Sequence, residues 1–148
     1  MTRSHDRVRS QPQVDMFFDR ADRRYQPHDR LVVRYEITGL GPERARAVEQ
    51  SVAWYTEGKG EEDLGVHHFQ RITDADLIPP AMMSDSFGVD LPASPLSYEG
   101  VIVKVRWCVR VRIFFTGGRD FVSEHVFAVG AIPPAQRVAA RNVDGVEA

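Results

Sequence analysis

The segment Val101 to Phe115, VIVKVRWCVRVRIFF, constrains the fold more than any other part of the chain, because apolar and cationic residues alternate along it. Val101, Val103, Val105, Trp107, Val109, Val111, Ile113 and Phe115 share one parity, and Lys104, Arg106, Arg110 and Arg112 share the other. Successive side chains of a strand point to opposite faces, whereas helical spacing would scatter the arginines around the axis. The pattern predicts one long antiparallel strand with a buried face and a cationic face. At about 3.3 Å per residue it reaches roughly 50 Å, enough to cross a sandwich and bend over its edge. Burying each apolar side chain is worth roughly 1.5–3 kcal/mol, an upper bound that still makes this strand a main source of stability.

A chain of 148 residues fits one domain with a single core. The formal net charge of −2 argues against a protein built on bulk attraction to DNA, RNA or anionic lipid. Cys108 is the only cysteine, so no intrachain disulfide can form. MTRSHDRVRSQPQV lacks an apolar signal region, and no apolar run approaches the length of a membrane-spanning helix. These features favour a cytoplasmic setting.

Residues 1–12, basic and containing Pro12, are expected to form a disordered leader, and 131–148 a linker and mobile tail, leaving 13–130 as the folded domain. Val14 to Asp19 is a short apolar run, and Pro27 with Asp29 reads as a turn. Leu31, Val33, Tyr35 and Ile37 alternate with polar neighbours in a second strand that ends at Gly39 and Gly41. Ala45 to Thr56 contains good helix formers, yet Val48, Val52, Trp54, Tyr55 and Thr56 favour a strand. EGKGEEDLG reads as a hairpin loop, with Val66 to Ile72 returning from it. TDADLIPPAMM reads as a loop because of its paired prolines, and Ser84 to Leu91 as a short extended piece. Gly117 and Gly118 turn the chain into a last strand, with Phe121, Phe127 and Val129 on one face. Many strands, turn signals between them and no convincing helix specify an all-β sandwich or barrel.

Residues 91–112, LPASPLSYEGVIVKVRWCVRVR, carry a further pattern. Leu91, Pro92, Ser94, Pro95, Ser97, Tyr98, Glu99 and Gly100, followed by Val105, Trp107, Val109 and Val111, resemble the lead-in and long strand of the amino-terminal domain of arrestins and their relatives. Tyr25 to Leu31, YQPHDRL, resembles that family's turn before its second strand, with His28 where a glycine is usual, and Ala47 to Tyr55 is similar to another of its strands. The resemblance spans about 25–130. It implies an immunoglobulin-like antiparallel β-sandwich, standing alone as in bacterial arrestin-like sporulation-control proteins. It implies binding rather than catalysis, as a scaffold or adaptor for a protein partner or for a second copy of the chain, with no cofactor.

Among individual residues, His67 and His68 suggest a metal ligand pair, but neighbouring strand residues face opposite ways, so the two imidazoles are not expected to share an ion. The loop with Glu57, Lys59, Glu61, Glu62 and Asp63 matches neither a phosphate-cradling nor a calcium-binding pattern, and is read as a solvated hairpin that serves as an interaction surface. Lys104, Arg106, Arg110 and Arg112 either hold an acidic or phosphate-bearing ligand, such as a peripheral membrane surface, or pair with acids such as Glu49 or Glu124 on adjacent strands. Nucleic acid is not expected, since the aromatic residues lie on the buried parity. Nearby arginines can lower the Cys108 thiol pKa, yet no histidine accompanies it in a nucleophilic pattern and a packed sheet cysteine is the ordinary case. No catalytic motif is recognised.

Overall fold

The computed structural model describes residues 11–41, 44–60, 62–73 and 82–130. The described residues form the strands β1 (Gln13–Phe18), β2 (Arg24–Tyr25), β3 (Arg30–Thr38), β4 (Ala45–Gly58), β5 (Leu64–Thr73), β6 (Met82–Asp90), β7 (Tyr98–Glu99), β8 (Val103–Phe115) and β9 (Asp120–Val129). The fold is all-β. A three-stranded sheet has the order β1-β3-β6, and a six-stranded sheet has the order β2-β9-β8-β4-β5, with β7 also paired to β8. Most of the expected leader and the whole of the expected tail, residues 1–10 and 131–148, lie outside the described residues.

The two sheets bury one face each against the other. Leu31, Val33, Tyr35 and Ile37 of β3 are buried opposite Val48 and Val52 of β4 and Trp107, Val109, Val111, Ile113 and Phe115 of β8 in one apolar cluster. The strand reading of Ala45 to Thr56 holds, because β-branched residues on this segment pack between β5 and β8. Met82 and Met83 do not belong to the expected loop. They begin β6 opposite Thr38 and Ile37, and residues 74–81 of that loop lie outside the described residues.

The parity of the long strand is right only from its middle onward. Val101 is 99% exposed, Ile102 68% and Val103 37%, whereas Trp107 onward alternates as expected apart from buried Cys108. The reason is a hairpin: Tyr98 and Glu99 pair with Val105 and Lys104, and the Gly100 amide donates to the Val103 carbonyl. Val101 and Ile102 are the centre of that turn rather than the start of a ladder.

The LPASPLSYEG segment closes one end of the sandwich. Ser97 exchanges backbone and side-chain hydrogen bonds with Val129, and the Trp107 indole N–H donates to the Pro95 carbonyl at 2.8 Å. At the other quoted turn His28 takes φ +70°, the left-handed conformation a glycine there would adopt freely. The Asp29 carboxylate secures the turn by accepting from the Gln26 amide at 2.8 Å and pairing with Arg20. Those hydrogen bonds to the ionised form, with the amide first, hold the Asp29 carboxyl below the usual carboxylate range.

Candidate interaction surface

The β4–β5 hairpin is fixed at both ends. Thr56 and Asp63 exchange hydrogen bonds across its neck, and the Lys59 amide donates to the Ile102 carbonyl. Gly58, at φ +137°, lies so close to Ile102 that a Cβ there would meet its carbonyl oxygen. Lys59 is thus held beside the exposed Val101–Ile102 turn. One end of the sandwich presents a cation, the acids Glu57, Glu62 and Asp63 and an apolar turn together. Glu61 falls outside the described residues. Next to the hairpin neck, Tyr55, Thr56, Glu57, Glu62, Asp63, Leu64 and, from β8, Arg110 line a shallow hollow of about 360 Å³.

From the neck, β5 runs along the edge of the six-stranded sheet, with β4 as its only strand neighbour among the described residues. Leu64 pairs with Tyr55, Val66 with Ala53, Phe69 with Ser51 and Arg71 with Glu49, a row on the outer face. Leu64, Val66 and Phe69 are 57%, 58% and 56% exposed. Bare apolar groups on an unpaired edge contrast with the charges that usually protect such strands.

The cationic stripe is internally partnered. Arg110 pairs with Glu124, Arg112 with Asp120 at 2.8 Å, Arg106 with Glu99 at 3.3 Å and Glu57 at 3.8 Å, and Lys104 with Glu99 at 3.8 Å. Glu49 faces Arg112 in the ladder but bonds Arg71 instead. Cys108 is buried between these pairs, and burial pushes its thiol pKa up to about 11, the opposite of an activated nucleophile.

The two histidines do not obey simple alternation. Val52 pairs with His68 and Ala53 with Val66, so His67 is the extra residue of a β-bulge. Both rings reach β6. His67 Nε2 lies 2.7 Å from the Asp90 carbonyl, and His68 stacks on Phe87 with ring centroids 5.1 Å apart. The expected opposition of these imidazoles is therefore corrected, and the bulge is the cause. Burial, then the neighbouring His67, pushes the His68 pKa down, and its Nε2 is buried without a hydrogen-bond partner. Even so, no group of three or more His, Cys, Asp and Glu side chains able to hold a metal ion occurs among the described residues.

Sequence reading missed a polar chain that links the sheets and runs from the core out to exposed Gln70. The Tyr35 hydroxyl donates to Gln50 Oε1 at 2.8 Å, and Gln50 Nε2 donates to Gln70 Oε1 at 2.9 Å. Gln50 is fully buried. Its parity with Val48 and Val52 was the available signal, since residues two apart on a strand share a face.

No family model matches the chain, and no curated protein matches it. Among solved structures it is similar to Spo0M, the sporulation control protein of Bacillus subtilis, with a TM-score of 0.53 and 16% identity. The match covers 92% of this chain and 54% of that one, so the chain spans about half the length of Spo0M. With two packed antiparallel sheets on the page, this likeness gives the fold as an arrestin-like β-sandwich.

Proposed function

We propose that this domain is a non-enzymatic binding module, an arrestin-like scaffold or adaptor that holds a protein against the β5 edge and the hairpin tip around Lys59. The observation that carries this reading is the exposed row Leu64, Val66 and Phe69 on a strand with one free side among the described residues. A free edge supplies backbone donors and acceptors to an incoming strand, and alternate side chains supply selectivity. The likeness to a sporulation control protein supports a regulatory rather than a catalytic role. We take residues 13–130 as the folded unit and a reducing cytoplasm as its setting, consistent with a free, buried Cys108. No helix among the described residues is long and apolar enough to cross a membrane.

Affinity capture from the native cell with the wild-type chain and with Val66→Lys tests this reading. It requires a captured protein that the variant loses while keeping its fold. A captured protein bound equally by both would move the site elsewhere. The cationic stripe as a peripheral membrane or phospholigand site is the second reading, and it competes for guanidinium groups that Glu99, Glu124 and Asp120 already hold. It requires co-sedimentation with anionic vesicles that fades with salt.

A further inference from the structure

Taking β5 as the docking edge, we propose that its occupant is a second copy of this chain, the two β5 strands pairing antiparallel about a twofold axis between Val66 and His67. The bulge sets the register. Before it, the outer-face residues are even, Leu64 and Val66, and after it they are odd, Phe69 and Arg71. In an antiparallel pair the faces agree only if even positions of one copy meet odd positions of the other. A twofold between Val66 and His67 does this on either side of the bulge, setting Glu62 against Arg71 of the second copy, Leu64 against its Phe69 and Gly65 against its His68. At the axis itself, outward Val66 meets the inward-drawn His67. Opposite charges and apolar partners then coincide in the one alignment.

The hollow at the hairpin neck extends the Glu62–Arg71 contact. Its carboxylates, Glu57, Glu62 and Asp63, outnumber the one cation, Arg110, that lines the same space of about 360 Å³ on the outer face. The Arg71 guanidinium of the second copy arrives at that point, and the same contact repeats at the other end of the strand. Among the described residues Arg71 bonds Glu49 through Nη1 at 2.8 Å and lies over the Phe114 ring at 5.1 Å, and it is half exposed, so N–H groups of its planar fork remain for a further carboxylate. A bulge can protect an edge by turning it away, but here the extra residue, His67, is drawn inward to the Asp90 carbonyl.

Sedimentation velocity of the full chain from about 1 μM to about 1 mM tests the pairing across the affinity range of an interface this small. We expect a monomer–dimer equilibrium. Glu62→Arg alone and Arg71→Glu alone each raise the dissociation constant at least about tenfold by setting like charges opposite one another. An equimolar mixture of the two variants restores the dimer, because one end then carries the pair with its signs exchanged and the other end keeps the original Arg71–Glu62 pair. Thermal unfolding confirms that each variant is folded, and if either is not, Phe69→Asp replaces it as the disrupting change. A wild-type monomer throughout, a dimer indifferent to these substitutions, or a mixture no tighter than its components overturns the proposal. A monomer that still loses its captured protein on Val66→Lys overturns self-pairing alone and leaves the docking-edge reading in place.

Discussion

The two long sides of this sandwich are closed by different chemistry. On the side of β1, β2 and β9, aromatic rings seal the gap. Phe127 packs against Phe18, Tyr25 and Trp107 with centroids 5.7–6.1 Å apart, and the Tyr25 hydroxyl donates to Asp19 at 2.6 Å. On the side of β5 and β6, half-buried Ile72, Phe87 and Val89 pack on the core and the bridge adds polar contacts, His67 on a carbonyl and His68 on one phenyl ring, backed by the Tyr35–Gln50–Gln70 chain. Apolar closure resists opening and needs no partner, whereas polar closure opens more readily and leaves a strand edge for others. One side maintains the fold, and the other is where we propose that binding occurs.

Truncation separates the sides most strongly. Phe127→Ala should cost about 3–5 kcal/mol, because three rings lose their shared neighbour, while His68→Ala on the other side should cost about 1 kcal/mol. Urea denaturation of both variants checks this, and equal losses would erase the distinction. Gln50→Leu should cost about 1–3 kcal/mol by leaving the Tyr35 hydroxyl and Gln70 without their partner, and a neutral or stabilising result would show that the polar chain does not join the sheets.

The sides also predict a pH response. Burial, with His67 beside it, lowers the His68 pKa, and burial, with Arg23 beside it, lowers that of His125, although Asp15 opposes the second shift. The unfolded chain therefore binds protons more readily than the native one. This contribution to stability is complete above the unfolded histidine value of about 6.5 and is lost as pH falls through the lower folded values. Denaturant midpoints should fall from pH 7.5 to pH 5.0, and His68→Phe, which retains a ring on Phe87, should flatten the slope. The smallest effect is expected at the turn on the sealed side. His28→Gly should add up to about 1 kcal/mol, relief of the left-handed conformation exceeding the entropy cost of glycine.

How far the sequence revealed this depended on whether a feature was periodic. Alternation along β3 and from Trp107 through Phe115 in β8 located the core, because a period of two is visible residue by residue. It failed at Val101 and Val103, since a turn built from apolar residues looks identical to a continuing strand. It failed again at His67 and His68, where one inserted residue reverses parity through a backbone change with no side-chain signature. Of the candidate site, the hairpin around Lys59 was legible from its glycines and charge. The exposed row on β5 was not, because Leu64 reads as part of the hairpin loop and Val66 and Phe69 as ordinary strand residues until the strand order makes β5 an edge.

Hydrogen exchange followed by mass spectrometry, at low and high protein concentration, tests the central asymmetry most directly. The account predicts that backbone amides of β5 exchange faster than those of β9 in dilute protein and gain protection as concentration rises, while β9 stays protected throughout. Equal protection of the two strands at every concentration would contradict it.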